Sequence, residues 1–152
     1  MDYIVQAIMS FIASACFGVI FNAPYRKLLY CGLVGSISWT IYYSLTTLAS
    51  FDAVHASFAS ALVVGISAHL LAKSLRTPMI VFNVSGIIPL VPGGASYNAM
   101  RSLMENDFMM GVQYSARVFL IAGAIAMGLV FAEVIMQLVR RTMATKKEAL
   151  QK

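Results

Sequence analysis

Charge is scarce in this sequence. Of its 152 residues only 11% are Asp, Glu, Lys or Arg, against 60% that are hydrophobic, whereas a soluble domain carries about 25% charged residues. A chain this short keeps a high surface-to-volume ratio and cannot bury so much apolar surface as a water-soluble globule. That excludes a soluble enzyme with its own catalytic domain, a disordered chain and a nucleic-acid-binding domain. The net charge of +5 does not restore nucleic acid as a partner, because the basic residues gather at the edges of apolar runs rather than on one polar face. Cysteine is equally sparse. Cys16 and Cys31 both lie in apolar stretches, where cysteine behaves as a small apolar residue; a disulfide scaffold is excluded and no bond between the two is expected. A basic leader is missing as well. Asp2 stands where a signal peptide carries positive charge, and the apolar run to Phe21 is too long for a cleavable core, so it reads as a first membrane span. No metal-ligand spacing, no nucleophile with an identifiable base and no phosphate-binding loop occurs, so neither an enzyme, a cofactor nor a metal site is expected. His55 and His69 fall near opposite ends of one span and cannot share a metal.

Long apolar runs are what the chain does have. They extend from about Tyr3 to Phe21, Leu28 to Ala49, Ala53 to Ala72, from Met79 onward with an interruption, and from Phe108 to about Leu138. At about 20 residues per span, this predicts an all-α integral membrane bundle of about five helices. It comprises a single transmembrane domain over 1–139 and a basic cytosolic tail over 140–152. With the N-terminus outside, Arg26, Lys27, Lys73, Arg76, Arg140, Arg141, Lys146, Lys147 and Lys152 face the cytosol, and only Arg101 and Arg117 lie outside. Nine of the eleven basic residues on one side is a strong positive-inside bias. A re-entrant hairpin at Met79–Asp107 would put the basic tail on the wrong side, so that segment is expected to cross. Small residues recur at four-residue spacing: Ser10, Ser14 and Gly18; Gly32, Ser36, Thr40 and Ser44; Ser57, Ala61 and Gly65; Ala124, Gly128 and Ala132. In lipid, close backbone approach over small side chains is a main source of helix association, so a tightly packed bundle is expected.

The fourth run is broken at Pro89-Leu90-Val91-Pro92-Gly93-Gly94. Two prolines remove backbone donors, and the glycine pair allows conformations other residues resist. The break falls about 20 Å from Met79, inside a hydrocarbon core about 30 Å thick. Unwound backbone at that depth is tolerated only against protein or a water-filled cavity. The helix that restarts near Ala95 points free N–H groups and its positive dipole end into that space. Secondary transporters bind substrate carboxylates at such discontinuous helices. Pro89, Pro92, Gly93, Gly94, Ser96, Tyr97, Asn98 and Arg101 are therefore the candidate site for a small carboxylate. The plainer alternative is a kinked helix whose Arg101 snorkels to the interface. Glu133 is the only acidic residue deep in an apolar span; it is part of a proton pathway, paired with a basic residue at the cytosolic face such as Lys73, or interfacial. Asn22 and Arg26 flank Pro24 at the cytosolic end, as gate or as a helix-ending turn, and Asn83 is placed to face the cavity. Trp39 lies mid-span, as packing or cavity wall.

Two stretches of this chain carry a resemblance. Ile88-Pro89-x-x-Pro92-Gly93-x-x-x-Tyr97-x-Ala99-Met100, together with Phe21-Asn22-x-Pro24-x-Arg26 leading into Cys31 and Gly35-Ser36, looks like the signature of the threonine/serine exporter family. Over nearly its full length the chain resembles the small subunit of that family's split exporters. The resemblance implies a bacterial inner-membrane protein, working with a larger subunit that carries further spans and a soluble N-terminal domain. The implied substrates are threonine and serine, or succinate for split pairs. The competing function is that of a structural membrane subunit that stabilises a transporting partner.

Overall fold

Proline, left-handed asparagine and aspartate caps set the helix ends. The computed structural model describes residues 2–149, and every regular element among them is helical. Helix α1 (Asp2–Ile20) stops where Asn22 takes a left-handed conformation (φ 54°) and the Ala23 N–H reaches back to the Gly18 carbonyl at 2.9 Å. Asparagine tolerates that region better than most residues. Pro24 and a 3-10 turn (Tyr25–Lys27) lead into α2 (Leu28–Thr47). The Asp52 carboxylate caps α3 (Ala53–Leu75) by accepting the Val54 N–H at 3.2 Å. After Pro78, α4 (Met79–Ile87) runs into a 3-10 turn (Ile88–Leu90), and α5 (Gly93–Met104) restarts beyond Pro92 at an angle of 53°. Asn106 (φ 63°) follows α5, and Asp107 caps α6 (Phe108–Ala149), accepting the Met110 N–H at 3.1 Å.

Neighbouring residues give each helix a direction. α1 and α2 are antiparallel: Trp39 donates to Gln6, Ser36 donates to the Ala7 carbonyl, and Gly32 sits under Phe11. α2 and α4 run parallel, with Cys31 beside Val81, Ser38 donating to the Gly86 carbonyl, and Gly35 beside Pro89. α3 and α6 also run parallel. Val54 and His55 share a hollow with Phe119 and Leu120, Ala61 meets Gly128, Gly65 meets Ala132, and His69 meets Glu133. Parallel α3 and α6 put Leu75 and Phe108 at opposite ends of the bundle, so the chain between them must cross it. The bent segment supplies that crossing. Its first piece (Met79–Leu90) is about 18 Å long, and its second advances about 11 Å at 53°, together close to a hydrocarbon core of about 30 Å. The result is an all-α, multi-pass membrane bundle with five crossings, the fourth broken.

Small residues govern the packing. A Cβ on Gly128 would lie 2.6 Å from the Phe58 carbonyl oxygen, and one on Gly65 would overlap Ala132, so glycine is what lets α3 and α6 approach. Large apolar side chains such as Ile4, Ile8, Leu70, Phe119 and Phe131 instead point outward, as a lipid environment requires. Three boundaries differ from expectation. α3 continues past Ala72 to Leu75, taking Lys73 into its last turn, and α5 starts two residues early, at Gly93. α6 does not stop near Leu138 but continues as helix through residues 140–149; Lys152 lies outside the described residues. At 42 residues, α6 is about 63 Å long, far beyond one span. Its first ten or so residues extend past the start of α3, where α5 packs along them.

Candidate functional site

The break is built by local chemistry. Val91 is extended (ψ 128°), Pro92 turns the chain (ψ 56°), and the Gly93 N–H closes a tight turn onto the Val91 carbonyl at 2.7 Å. The first bond of α5 runs from the Ser96 N–H to the Pro92 carbonyl at 3.0 Å. Between them the amides of Gly94 and Ala95 find no acceptor among the described residues, as the first turn of any helix leaves them. A Cβ on either Gly93 or Gly94 would meet nothing within 4 Å. Open space therefore lies on the Cβ side of both glycines.

Both glycines also line a cavity of about 250 Å³. Pro89 to Ala95 form one wall; Trp39 and Tyr42 of α2, Ala53 of α3, and Arg117 and Ile121 of α6 form the rest. The Trp39 and Tyr42 rings stack at 5.1 Å, and Trp39 is fixed by donating its Nε1–H to Gln6 at 2.9 Å. Trp39 and Pro89 also line a second hollow of about 220 Å³ on the α1 side, with Ser10 and Ala13. Arg117, exposed and without an ion pair among the described residues, lines the cavity across from the helix N-terminus, whose dipole favours an anion. No carboxylate lines the cavity.

The sequence-predicted residues divide here. Pro89, Pro92, Gly93 and Gly94 line the cavity. Ser96, Tyr97, Asn98 and Arg101 do not, because α5 leans away at 53° onto the first turns of α6. The Ser96 hydroxyl donates back to the Pro92 carbonyl at 2.9 Å, and Tyr97 and Asn98 are exposed. Arg101 lies about 12 Å along α5 from the break and pairs with Glu105 at 2.9 Å. The cation that the fold brings to the break is Arg117. One signal for it was present in the sequence: Ala95 is nine residues before the end of α5 and Arg117 nine after the start of α6, so an antiparallel hairpin sets them side by side.

The remaining candidates sit elsewhere. Asn22 and Arg26 are exposed at the opposite end of the bundle, with the Arg26 guanidinium 5.7 Å from the Tyr25 ring centre. Asn83 does not line the cavity; its Oδ1 is buried without a hydrogen-bond partner. Among the described residues Glu133 makes no pair with Lys73. It faces the buried His69 at 3.6 Å and accepts from Gln137 at 3.0 Å. Cys16 and Cys31 are both free thiols.

Residues 6–135 match the family described as Threonine/Serine exporter. A curated relative, the threonine/serine exporter of Corynebacterium glutamicum, is 28% identical over 130 residues, which cover 86% of this chain and 26% of that protein. The chain thus spans about a quarter of the length of the relative it matches. No solved structure matches it.

Proposed function

The chain belongs to the threonine/serine exporter family, and we propose that it is the membrane subunit of a secondary transporter. On this reading it exports a small carboxylate-bearing metabolite from the bacterial cytosol, together with a larger partner subunit. The observation that carries this reading is the convergence of two free backbone amides, a helix N-terminus and the unpaired Arg117 on one cavity at a broken membrane helix. A carboxylate there accepts the Gly94 and Ala95 N–H groups and the Arg117 guanidinium, while Trp39 and Tyr42 flank its carbon skeleton. Substrates in range are threonine, serine and a dicarboxylate such as succinate. A lining with a cation and no carboxylate supports the dicarboxylate, since an amino acid would also need a partner for its ammonium group.

The proposed setting is the inner membrane, with the N-terminus outside and the C-terminus cytosolic. Arg26, Lys27, Lys73, Arg76, Arg140 and Arg141 then share the cytosolic end, as the positive-inside rule demands. The cavity opens toward the outer end, while Asn22 and Arg26 mark the cytosolic approach and Asn83 and Glu133 lie between. The test is twofold. A deletion strain accumulates the true substrate among threonine, serine and succinate, and the chain with its larger subunit relieves it. In the assembled complex, that substrate also protects cysteines placed at Gly94 and Ala95 from a thiol reagent. Absence of protection by all three compounds rejects the site and leaves a subunit that only stabilises its partner.

A further inference from the structure

We propose that His69 and Glu133 form an intramembrane proton site whose occupancy is tied to the relative position of α3 and α6. The inference deepens the exporter reading, because it names the group through which proton movement drives that transport, and to that extent it rests on it.

α3 meets α6 along a stripe of small residues, Ala61 and Gly65 against Gly128 and Ala132. The next residue on the α3 stripe at four-residue spacing is not small. It is His69, only 3% exposed, where packing alone would be served by another alanine. Its Nε2 stands 3.6 Å from Glu133 Oε2, within ion-pair range and just beyond hydrogen-bond reach. Its Nδ1 is buried with no partner. Glu133 is held by Gln137, which donates to its other oxygen at 3.0 Å, and its side chain is 42% exposed. Around the pair, α4 carries no titratable residue. α2 contributes Lys27, Tyr30 and Cys31 at its start, Lys73 lies one turn further along α3, and Arg140 about two turns beyond Glu133 on α6. Among the described residues, Glu133 is the one acidic group within ion-pair distance of His69.

These contacts set a protonation rule. A neutral imidazole with its proton on Nε2 faces the carboxylate and leaves Nδ1 as a bare lone pair, the cheaper group to bury. An imidazolium carries a second N–H at Nδ1, and a buried donor without an acceptor is costly. This packing thus favours the neutral ring. Taking up a proton makes a new N–H bond at the Nδ1 lone pair as a hydronium ion gives up a proton and becomes water, and this needs water to reach Nδ1. The resulting imidazolium then draws in Glu133 and closes the gap at Nε2. A shift of α3 against α6 supplies both changes, sliding along the small-residue contact of Ala61 and Gly65 with Gly128 and Ala132. Release reverses the step: the Nδ1–H bond breaks, and the proton returns to water on the side then open.

The full chain in lipid bilayers, with isotope-labelled histidine, tests this by NMR, since the chain has two imidazoles and His55 is the exposed control. The expected His69 signal is the Nε2–H tautomer at high pH and a ring protonated at both nitrogens at low pH. Glu133→Gln alters that response and leaves His55 unchanged; Glu133→Asp retains it in part. A His69 fixed in one protonation state, the opposite tautomer, or indifference to Glu133→Gln overturns the proton site. In vesicles with an imposed pH gradient, His69→Gln and Glu133→Gln lower net export of labelled succinate or threonine by about tenfold or more, yet keep exchange of internal for external substrate. Loss of both activities, or of neither, overturns the coupling role. If the unaltered complex moves none of threonine, serine and succinate, the carboxylate reading falls, while the NMR result still decides the proton site.

Discussion

Arg101 and Arg117 have the same chemistry and are both exposed, but they differ in their partners. Arg101 is exposed and already paired with Glu105, so its charge is largely spent before any substrate arrives, and an exposed pair of this kind is worth little to stability. Arg117 lines the cavity that the free amides of Gly94 and Ala95 also line, and it makes no ion pair among the described residues. Hydrogen bonds to charged groups contribute about 1.5–3 kcal/mol each. Arg117→Gln is therefore expected to weaken apparent substrate affinity by about tenfold or more, and Arg117→Lys to recover part of it, since the charge survives but the planar fork does not. Arg101→Gln should change affinity less than about twofold. Transport kinetics in membrane vesicles check all three; a larger loss at Arg101 than at Arg117 would move the site out onto α5. The sequence pointed to Arg101 because it follows the break by a few residues. Proximity along the chain was a poor guide here, for a 53° bend carries everything beyond the first turn of α5 away from the cavity.

At the scale of elements, two features depend on glycine for different reasons. In the α3–α6 seam glycine is a matter of contact. Gly128→Val forces a side chain against the Phe58 carbonyl and Ala61, and overpacking of this kind costs about 1–3 kcal/mol. Its expected signature is a lowered unfolding temperature in detergent, with loss of export following from loss of the bundle. At the break, glycine is a matter of open space. A Cβ on Gly94 meets nothing within 4 Å, and Gly94→Leu replaces a poor helix former with a good one, so thermal stability should hold or rise while export falls as the side chain enters the cavity that Gly94 lines. The two variants measured side by side separate packing from binding; a destabilised Gly94→Leu would show that the space is not there. The break itself was legible in the sequence, since proline and glycine act on their own backbone. The small-residue stripes were legible for the same reason, as a spacing on single helices. Partners across the bundle were not. His69 and Glu133 are 64 residues apart (133 − 69) on helices whose parallel packing depends on the bent segment crossing between them, and only the assembled fold shows that they meet.

The whole molecule turns on that crossing. Parallel packing of α3 and α6, read from Ala61 beside Gly128 and Gly65 beside Ala132, places the α2–α3 and α5–α6 turns at one end of the bundle. The α1–α2 and α3–α4 turns lie at the other, with most of the basic residues. Electrostatics then chooses which end faces the cytosol, because lysine and arginine in short loops are retained there. Single cysteines make both statements measurable in a Cys16→Ser background, which removes the exposed native thiol. Phe51→Cys and Glu105→Cys are expected to react with a membrane-impermeant maleimide on intact cells. Tyr25→Cys and Ser74→Cys should react only after the membrane is opened. All four sites are exposed, so failure to react on intact cells reports sidedness and not burial. Reaction of Phe51→Cys and Glu105→Cys from opposite sides would mean that Met79–Met104 does not cross, and the parallel seam between α3 and α6 would have to be abandoned with it. Reversal of all four would keep the fold and invert its orientation. The cavity would then open to the cytosol, and Arg117 would meet its substrate before the bundle moves instead of after.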